Sequence, residues 1–303
     1  MPQDWIEQKE RGCASLLRFM VWVATTLGRR VTRVLLYPIS LYFFLVVGDS
    51  RKSSAAYLSK VLGRKPHWYE VFRHFHTFAA VLLDRVYFLL GRAEKFDIRV
   101  IQDAYDDEDS ATRNGGVFVM GAHIGSFEAV RLVSRKKEEL KLVLLMYEEN
   151  ARKIGAMMAA INPSAQQEIV PLGNLSAMLT VRDRLAEGAI IGILADRTLG
   201  HEKNHRLPFL GETAHFAVGP FRMAAMMRKP VFLMVGLYRG GNRYDIFIEK
   251  IADFRDAENG ERRNSEQAMT AAITQYVARL EHFIKLAPYN WFNFYDFWQG
   301  HKQ

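Results

Sequence analysis

The sequence predicts an α/β fold: a mostly parallel central sheet flanked by helices, preceded by an apolar helical region. Three observations carry that prediction. From about residue 95 onward, short apolar runs alternate with stretches of helical periodicity. Before that point, after a polar opening, the chain holds only helical or apolar segments. Hydrophobic residues make up 49% of the 303 and aromatics 12%, enough for a large core, so disorder is excluded as a starting point. The expected organisation is an N-terminal helical, membrane-associating region over 1–92 and an α/β domain over 93–303.

The opening MPQDWIEQKERG is polar and charged, unlike a secretory signal, which turns apolar after a short basic start. Two apolar segments follow, 16–28 and 34–48, each shorter than the roughly 18–20 residues a spanning helix needs. Between them GRRVTR carries Arg29, Arg30 and Arg33, and Trp22, Tyr37 and Tyr42 sit at or near the segment ends. That arrangement suits helices lying in an anionic membrane interface, peripheral or shallowly inserted on the cytoplasmic face of the inner membrane. The formal net charge of +8 fits the same polyanionic surface or an acidic carrier protein. Residues 54–62 and 67–90 have helical spacing, and His74, His76 and Asp84 among the aromatics of the second read as structural.

Strands are expected at 117–122, 141–146, 167–172, 189–195, 230–238 and 244–251. Helices are expected between the first four, from near His215 toward Lys229, and over a long final stretch beginning at Ser265. The single cysteine, Cys13, excludes an internal disulfide and a cysteine-based zinc site.

The chemistry concentrates at strand ends. VFVMGA runs into His123, which places an imidazole at the carboxyl edge of a parallel sheet, where such folds put their sites. Gly125 removes bulk beside it, Ser126 is placed to cap the next helix, and Glu128 falls in that helix's first turn. The expectation is that Glu128 holds one imidazole nitrogen while the other takes a proton from a hydroxyl. A second strand ends in Asp196 and Arg197, where an arginine can hold a phosphate or an oxyanion. Gly125, Arg197 and Asp196 are therefore the oxyanion or substrate candidates. Arg131, Glu212 and Thr213 are the candidate acceptor contacts, the last two on a Pro-Phe-Leu-Gly turn ahead of a helix start.

Two rival chemistries are weighed against this. HEKNH at 201–205 matches the zinc-hydrolase pattern, but Gly200 precedes it and Pro208 follows, leaving little helix to present both histidines on one face. No metal and no cofactor are expected. Nucleic acid would suit the charge, yet no binding module is legible, and SRKKEELK at 134–141 reads as a solvated helix face.

With these residues in order, the chain resembles the lysophospholipid acyltransferase superfamily through His-x4-Glu at 123–128, the Asp196–Arg197 pair and FLGETA at 209–214. Within it the chain is most similar to the bacterial lipid A late-acyltransferase branch, and closer still to a relative often linked to fatty-acid or aryl-polyene pathways. The likeness extends to the terminal PYNWFNFYDFW. It implies a glycerol-3-phosphate acyltransferase-like αβα sandwich and O-acyl transfer from acyl-ACP (acyl carrier protein) or acyl-CoA to a hydroxyl of a lipid acceptor. That acceptor would be a lipid A precursor or a related glycolipid or polyene lipid. It makes His123 the general base, Glu128 its partner and Arg197 a site arginine. Glu212 and Thr213 stand where the superfamily has Glu-Gly-Thr, though the order here is Gly-Glu-Thr. The alternatives are a thioesterase using the same dyad on water and a non-catalytic lipid or carrier binder.

Overall fold

The structure, a computed structural model, describes residues 14–103, 108, 111–135, 141–162, 168–173, 175–198, 203–255 and 262–298. Cys13, His201, Glu202 and most of SRKKEELK lie outside the described residues.

Three helices come first: α1 (Ala14–Val46), α2 (Gly48–Leu62) and α3 (Trp68–Leu89). Then follow β1 (Asp97–Asp103), β2 (Val117–Gly121), α4 (Phe127–Arg135), β3 (Leu142–Tyr147), α5 (Glu148–Ile161), β4 (Glu168–Leu172), α6 (Leu175–Ala186) and β5 (Ile190–Leu194). The chain continues through β6 (Asn204–Phe209), β7 (Glu212–Ala217), α7 (Gly219–Met226), β8 (Pro230–Tyr238), β9 (Arg243–Asp253) and α8 (Arg262–Leu286).

Seven strands form one sheet in the order β1-β9-β8-β2-β5-β3-β4. From β8 to β4 every neighbouring pair is parallel; β9 runs antiparallel to β8, and β1 parallels β9. The mostly parallel sheet is as expected, and both of its faces are covered. Along β2, Phe118 and Met120 enter one core with α6, α7 and α8, while Val117 and Val119 enter the other with α3 and α4. This is the two-residue alternation of a strand buried on both sides. Tyr57 and Leu58 of α2 join the first core and Ala24 and Leu36 of α1 the second, so residues before 92 pack directly on the sheet domain.

Two elements differ from expectation. Strand β1, DIRVIQD, is an edge strand whose charged residues hide it from an apolar-run search. Residues 204–217 form an antiparallel hairpin rather than a turn leading into a helix near His215. Leu210 and Gly211 both take positive φ (51° and 85°), the backbone of a tight hairpin turn. Ala214 and Phe216 are buried while Thr213 is exposed, a strand alternation that outweighs the helical spacing of the following residues. The helix starts instead at Gly219, with Pro220 in its first turn.

The N-terminal region departs from a simple helix pair as well. α1 is broken at Gly28 (φ 74°, ψ 165°), and Thr26–Val46 meets α2 at a bend of 97°. No single helix among the described residues is long and apolar enough to cross a membrane. Large apolar side chains nonetheless face outward along α1, among them Trp22, Val34, Tyr42 and Leu45. The arginine cluster does not all join them. Arg29 forms a bidentate pair with the fully buried Asp84 of α3 at 2.8 and 2.9 Å. Arg33 reaches the same carboxylate at 3.5 Å and the Tyr238 hydroxyl. Tyr244 on β9 donates a further bond to Asp84 at 2.9 Å. Two of the three arginines expected at an anionic surface thus lock α1 to the sheet, because a buried carboxylate must be paired; Arg30 remains exposed.

Candidate active site

The register of β2 on β5 builds the site. Gly121 pairs with Leu194 at the carboxyl ends of the two parallel strands. Two residues beyond each lie His123 and Asp196, so one ladder rung sets both side chains side by side. His123 Nδ1 is 2.8 Å from Asp196 Oδ1, and the His123 amide donates to Asp196 Oδ2 at 3.1 Å.

Asp196 is fully buried and receives more than the histidine. Trp291 Nε1–H donates to Oδ2 at 3.2 Å, and Asn293 Nδ2–H donates to it at 3.0 Å. Burial opposes the charge on Asp196, but His123 and Arg197 outweigh it and hold the carboxyl well below the usual carboxylate range. An ionised carboxylate only accepts, so the proton of neutral His123 sits on Nδ1 and Nε2 carries a lone pair. Burial, and then the charge of Arg197, push the His123 imidazole below its ordinary value, against the pull of Asp196. The imidazole is therefore neutral near pH 7. Its side chain keeps 27% of its exposure, so it can be reached.

Glu128 does not hold the imidazole; that expectation is corrected. It lies in the first turn of α4, as anticipated, but α4 packs against α3 and the carboxylate meets Arg85, with Nε 2.5 Å from Oε1. Asp196, expected to bind substrate or oxyanion, takes the place at Nδ1.

Gly125 is also reassigned. Its amide donates to the Asn290 carbonyl at 2.8 Å and is not free to bind an oxyanion. The neighbouring amides are equally engaged, Ile124 with Ala122 and Ser126 with Gly236. What Gly125 supplies is space: with φ at 58°, a Cβ there would stand 1.9 Å from the Gly236 carbonyl oxygen. Ser126 does cap α4, its hydroxyl accepting from the Ala129 amide at 3.2 Å.

The part missed in sequence is the C-terminal strap, residues 290–293. It runs antiparallel beside 123–125, with the Phe292 amide donating to the His123 carbonyl at 2.7 Å. Arg197 clamps this strap rather than facing an open cleft. Its Nε donates to Asn293 Oδ1 at 2.7 Å, its Nη2 to the Phe292 carbonyl at 3.3 Å, and the guanidinium lies over the Tyr295 ring. Asn293 is thus fixed at both ends of its amide. The signal available beforehand was composition alone: NWFNFYDFW is dense in aromatics, and its two asparagines suit a satisfied polar network in an apolar setting.

Two of the candidate acceptor contacts, Glu212 and Thr213, are not gathered with the dyad. Arg131 is buried on α4. Thr213 is exposed on β7, and Glu212 at the hairpin turn pairs with Lys60 of α2. The hairpin itself reaches the strap through Phe209, whose ring centre is 5.5 Å from that of Trp291. His205 lies on strand β6, not on the helix a His-Glu-x-x-His zinc site requires.

An imidazole steadied by a carboxylate at the carboxyl edge of a parallel sheet, with its second nitrogen accessible, is an arrangement that can draw a proton from a hydroxyl. The chain belongs to the bacterial lipid A biosynthesis acyltransferase family, whose model matches residues 6–299. The resemblance to that branch of the acyltransferases is thereby borne out over almost the whole chain. No curated protein matches the chain.

Proposed function

We propose that the protein is an O-acyltransferase that moves a fatty acyl chain from a thioester donor, acyl-ACP or acyl-CoA, to a hydroxyl of a lipid A precursor or related glycolipid or polyene lipid. The observation that carries the mechanism is the 2.8 Å contact between His123 Nδ1 and the buried Asp196, which leaves Nε2 as the base. Nε2 takes the proton of the acceptor hydroxyl as its oxygen attacks the thioester carbonyl. The tetrahedral intermediate collapses with cleavage of the C–S bond, and the imidazolium returns its proton to the departing thiolate. Asp196 stabilises the imidazolium formed between these steps. The nucleophile belongs to the acceptor, so no serine or cysteine of the chain is needed.

The apolar face of α1 supports a peripheral seat on the cytoplasmic face of the inner membrane, where acceptor lipid and soluble donor meet. The decisive assay supplies the purified chain with acyl-ACP or acyl-CoA and a lipid A precursor. His123→Ala and Asp196→Asn are expected to lower kcat by about 100-fold or more. Turnover at the wild-type rate in either variant overturns the mechanism. Acyl release without acceptor would mark a thioesterase, and lipid binding without any turnover a non-catalytic binder.

A further inference from the structure

Behind the dyad lies a second histidine that the mechanism above does not use. His74 of α3 is fully buried and its two ring nitrogens have different partners. Nε2 is 2.9 Å from the carbonyl oxygen of Trp291, and Nδ1 is 2.8 Å from the Ser54 hydroxyl of α2. A carbonyl can only accept, so Nε2 carries the proton; Nδ1 then accepts from Ser54. Burial lowers the imidazole to about 4, against the pull of the Trp291 carbonyl, so this neutral tautomer holds at working pH.

Trp291 is where this bond acquires meaning. Its backbone carbonyl is held by His74, while its indole N–H holds Asp196. The same residue bridges to Ile124, next to the catalytic imidazole. From the same face of α2, one turn after Ser54, the Tyr57 hydroxyl donates to the Pro288 carbonyl at 2.6 Å. Two helices therefore grip the strap that carries two of the donors to Asp196, Trp291 and Asn293. A histidine buried only for packing would need a partner for each nitrogen, but not partners that end on the catalytic carboxylate.

We propose that His74 is a positioning residue: with Ser54 as its outer partner, it fixes the Trp291 backbone and thereby the placement of Asp196 against His123. The inference rests on the acyl-transfer reading of that dyad. A displacement of about 1 Å in a group that orients a base costs up to about 100-fold in rate without altering substrate affinity, and that separates a positioning role from a binding one.

The experiment compares wild type with His74→Phe, which keeps the ring packing on Phe294 at 4.6 Å. His74→Gln, which can still donate to the Trp291 carbonyl, and Ser54→Ala complete the set. Acyl-ACP and a lipid A precursor in detergent micelles serve as substrates, and the low-field proton of the His123 Nδ1–Asp196 bond is followed by proton NMR. His74→Phe is expected to lower kcat about 10-fold or more, with both KM values within about two-fold, and to shift or broaden the low-field resonance. His74→Gln is expected to recover most of both signals, and Ser54→Ala to show a smaller change in the same direction. Wild-type kcat in His74→Phe, a loss confined to KM, or an unmoved resonance overturns the proposal. Should His74→Phe fail to fold, Ser54→Ala still decides it, since an unmoved resonance and unchanged kcat in that variant are incompatible with positioning. If no acyl transfer is seen even in wild type, the functional reading fails, while the resonance continues to test whether His74 positions the pair.

Discussion

His123 and Asp196 divide the work between solvation and charge. Burial and the nearby Arg197 disfavour the imidazolium, whereas Asp196 favours it, and the first two dominate. A base kept neutral at pH 7 but facing a carboxylate is ready to accept a proton and to be stabilised once it has done so. The sign of the pH dependence follows. Activity is lost where Nε2 is already protonated, so kcat/KM falls on the acid side with an apparent pKa below 6.5. A pH–rate profile between 4 and 8 checks this, and an acid limb centred above 6.5 contradicts it. Asp196→Asn removes the opposing negative charge, so any residual activity is expected to have its acid limb at still lower pH.

At the scale of elements, the junction of α3 and α4 explains where Glu128 went. The first turn of α4 points its acid toward α3, where Arg85 waits, and the two form a pair whose acid is buried and whose base is about one-fifth exposed. Replacing Glu128 with Gln leaves the guanidinium facing a neutral amide in a poorly hydrated place. The expected cost is about 2 kcal/mol, less than for a fully buried pair because solvent still reaches the arginine. Urea denaturation of the variant measures it, and an unchanged midpoint would remove the pair from the account of stability. The strap 290–293 is the other decisive element. It joins the β2–α4 loop through backbone bonds, and β8 and Asp196 through the Asn290, Trp291 and Asn293 side chains.

For the whole molecule, the sheet and the N-terminal helices share their cores, and the Arg29–Arg33–Asp84 cluster ties them further through Tyr238 and Tyr244. This leaves the apolar outer face of α1 as a surface without cover among the described residues. Val34, Leu41 and Leu45 share it, being seven and eleven residues from the first, or about two and three turns. Changing all three to Ser is expected to weaken partition into anionic vesicles about 100-fold, near 3 kcal/mol of apolar transfer, while thermal stability changes little. Vesicle cosedimentation and a melting curve test both halves; wild-type partition would place the membrane contact elsewhere.

Much of this was legible in the chain. The alternation of apolar runs and helical periods specified the α/β class, because burial on both faces makes a strand apolar along its length. His123 and Asp196 could each be found at the end of such a strand. Their partnership could not. It depends on β5 lying beside β2 although β3 and β4 come between them in sequence, and register across a crossover leaves no local trace. The nearer acid in sequence, Glu128, was the natural candidate, but a helix rotates its first turn toward whatever packs on it, and here that is α3. Local sequence determined which residues stand at strand ends and helix starts. Tertiary packing chose the partner of the imidazole, because a buried carboxylate settles where four donors converge, and those donors come from residues 123, 291 and 293.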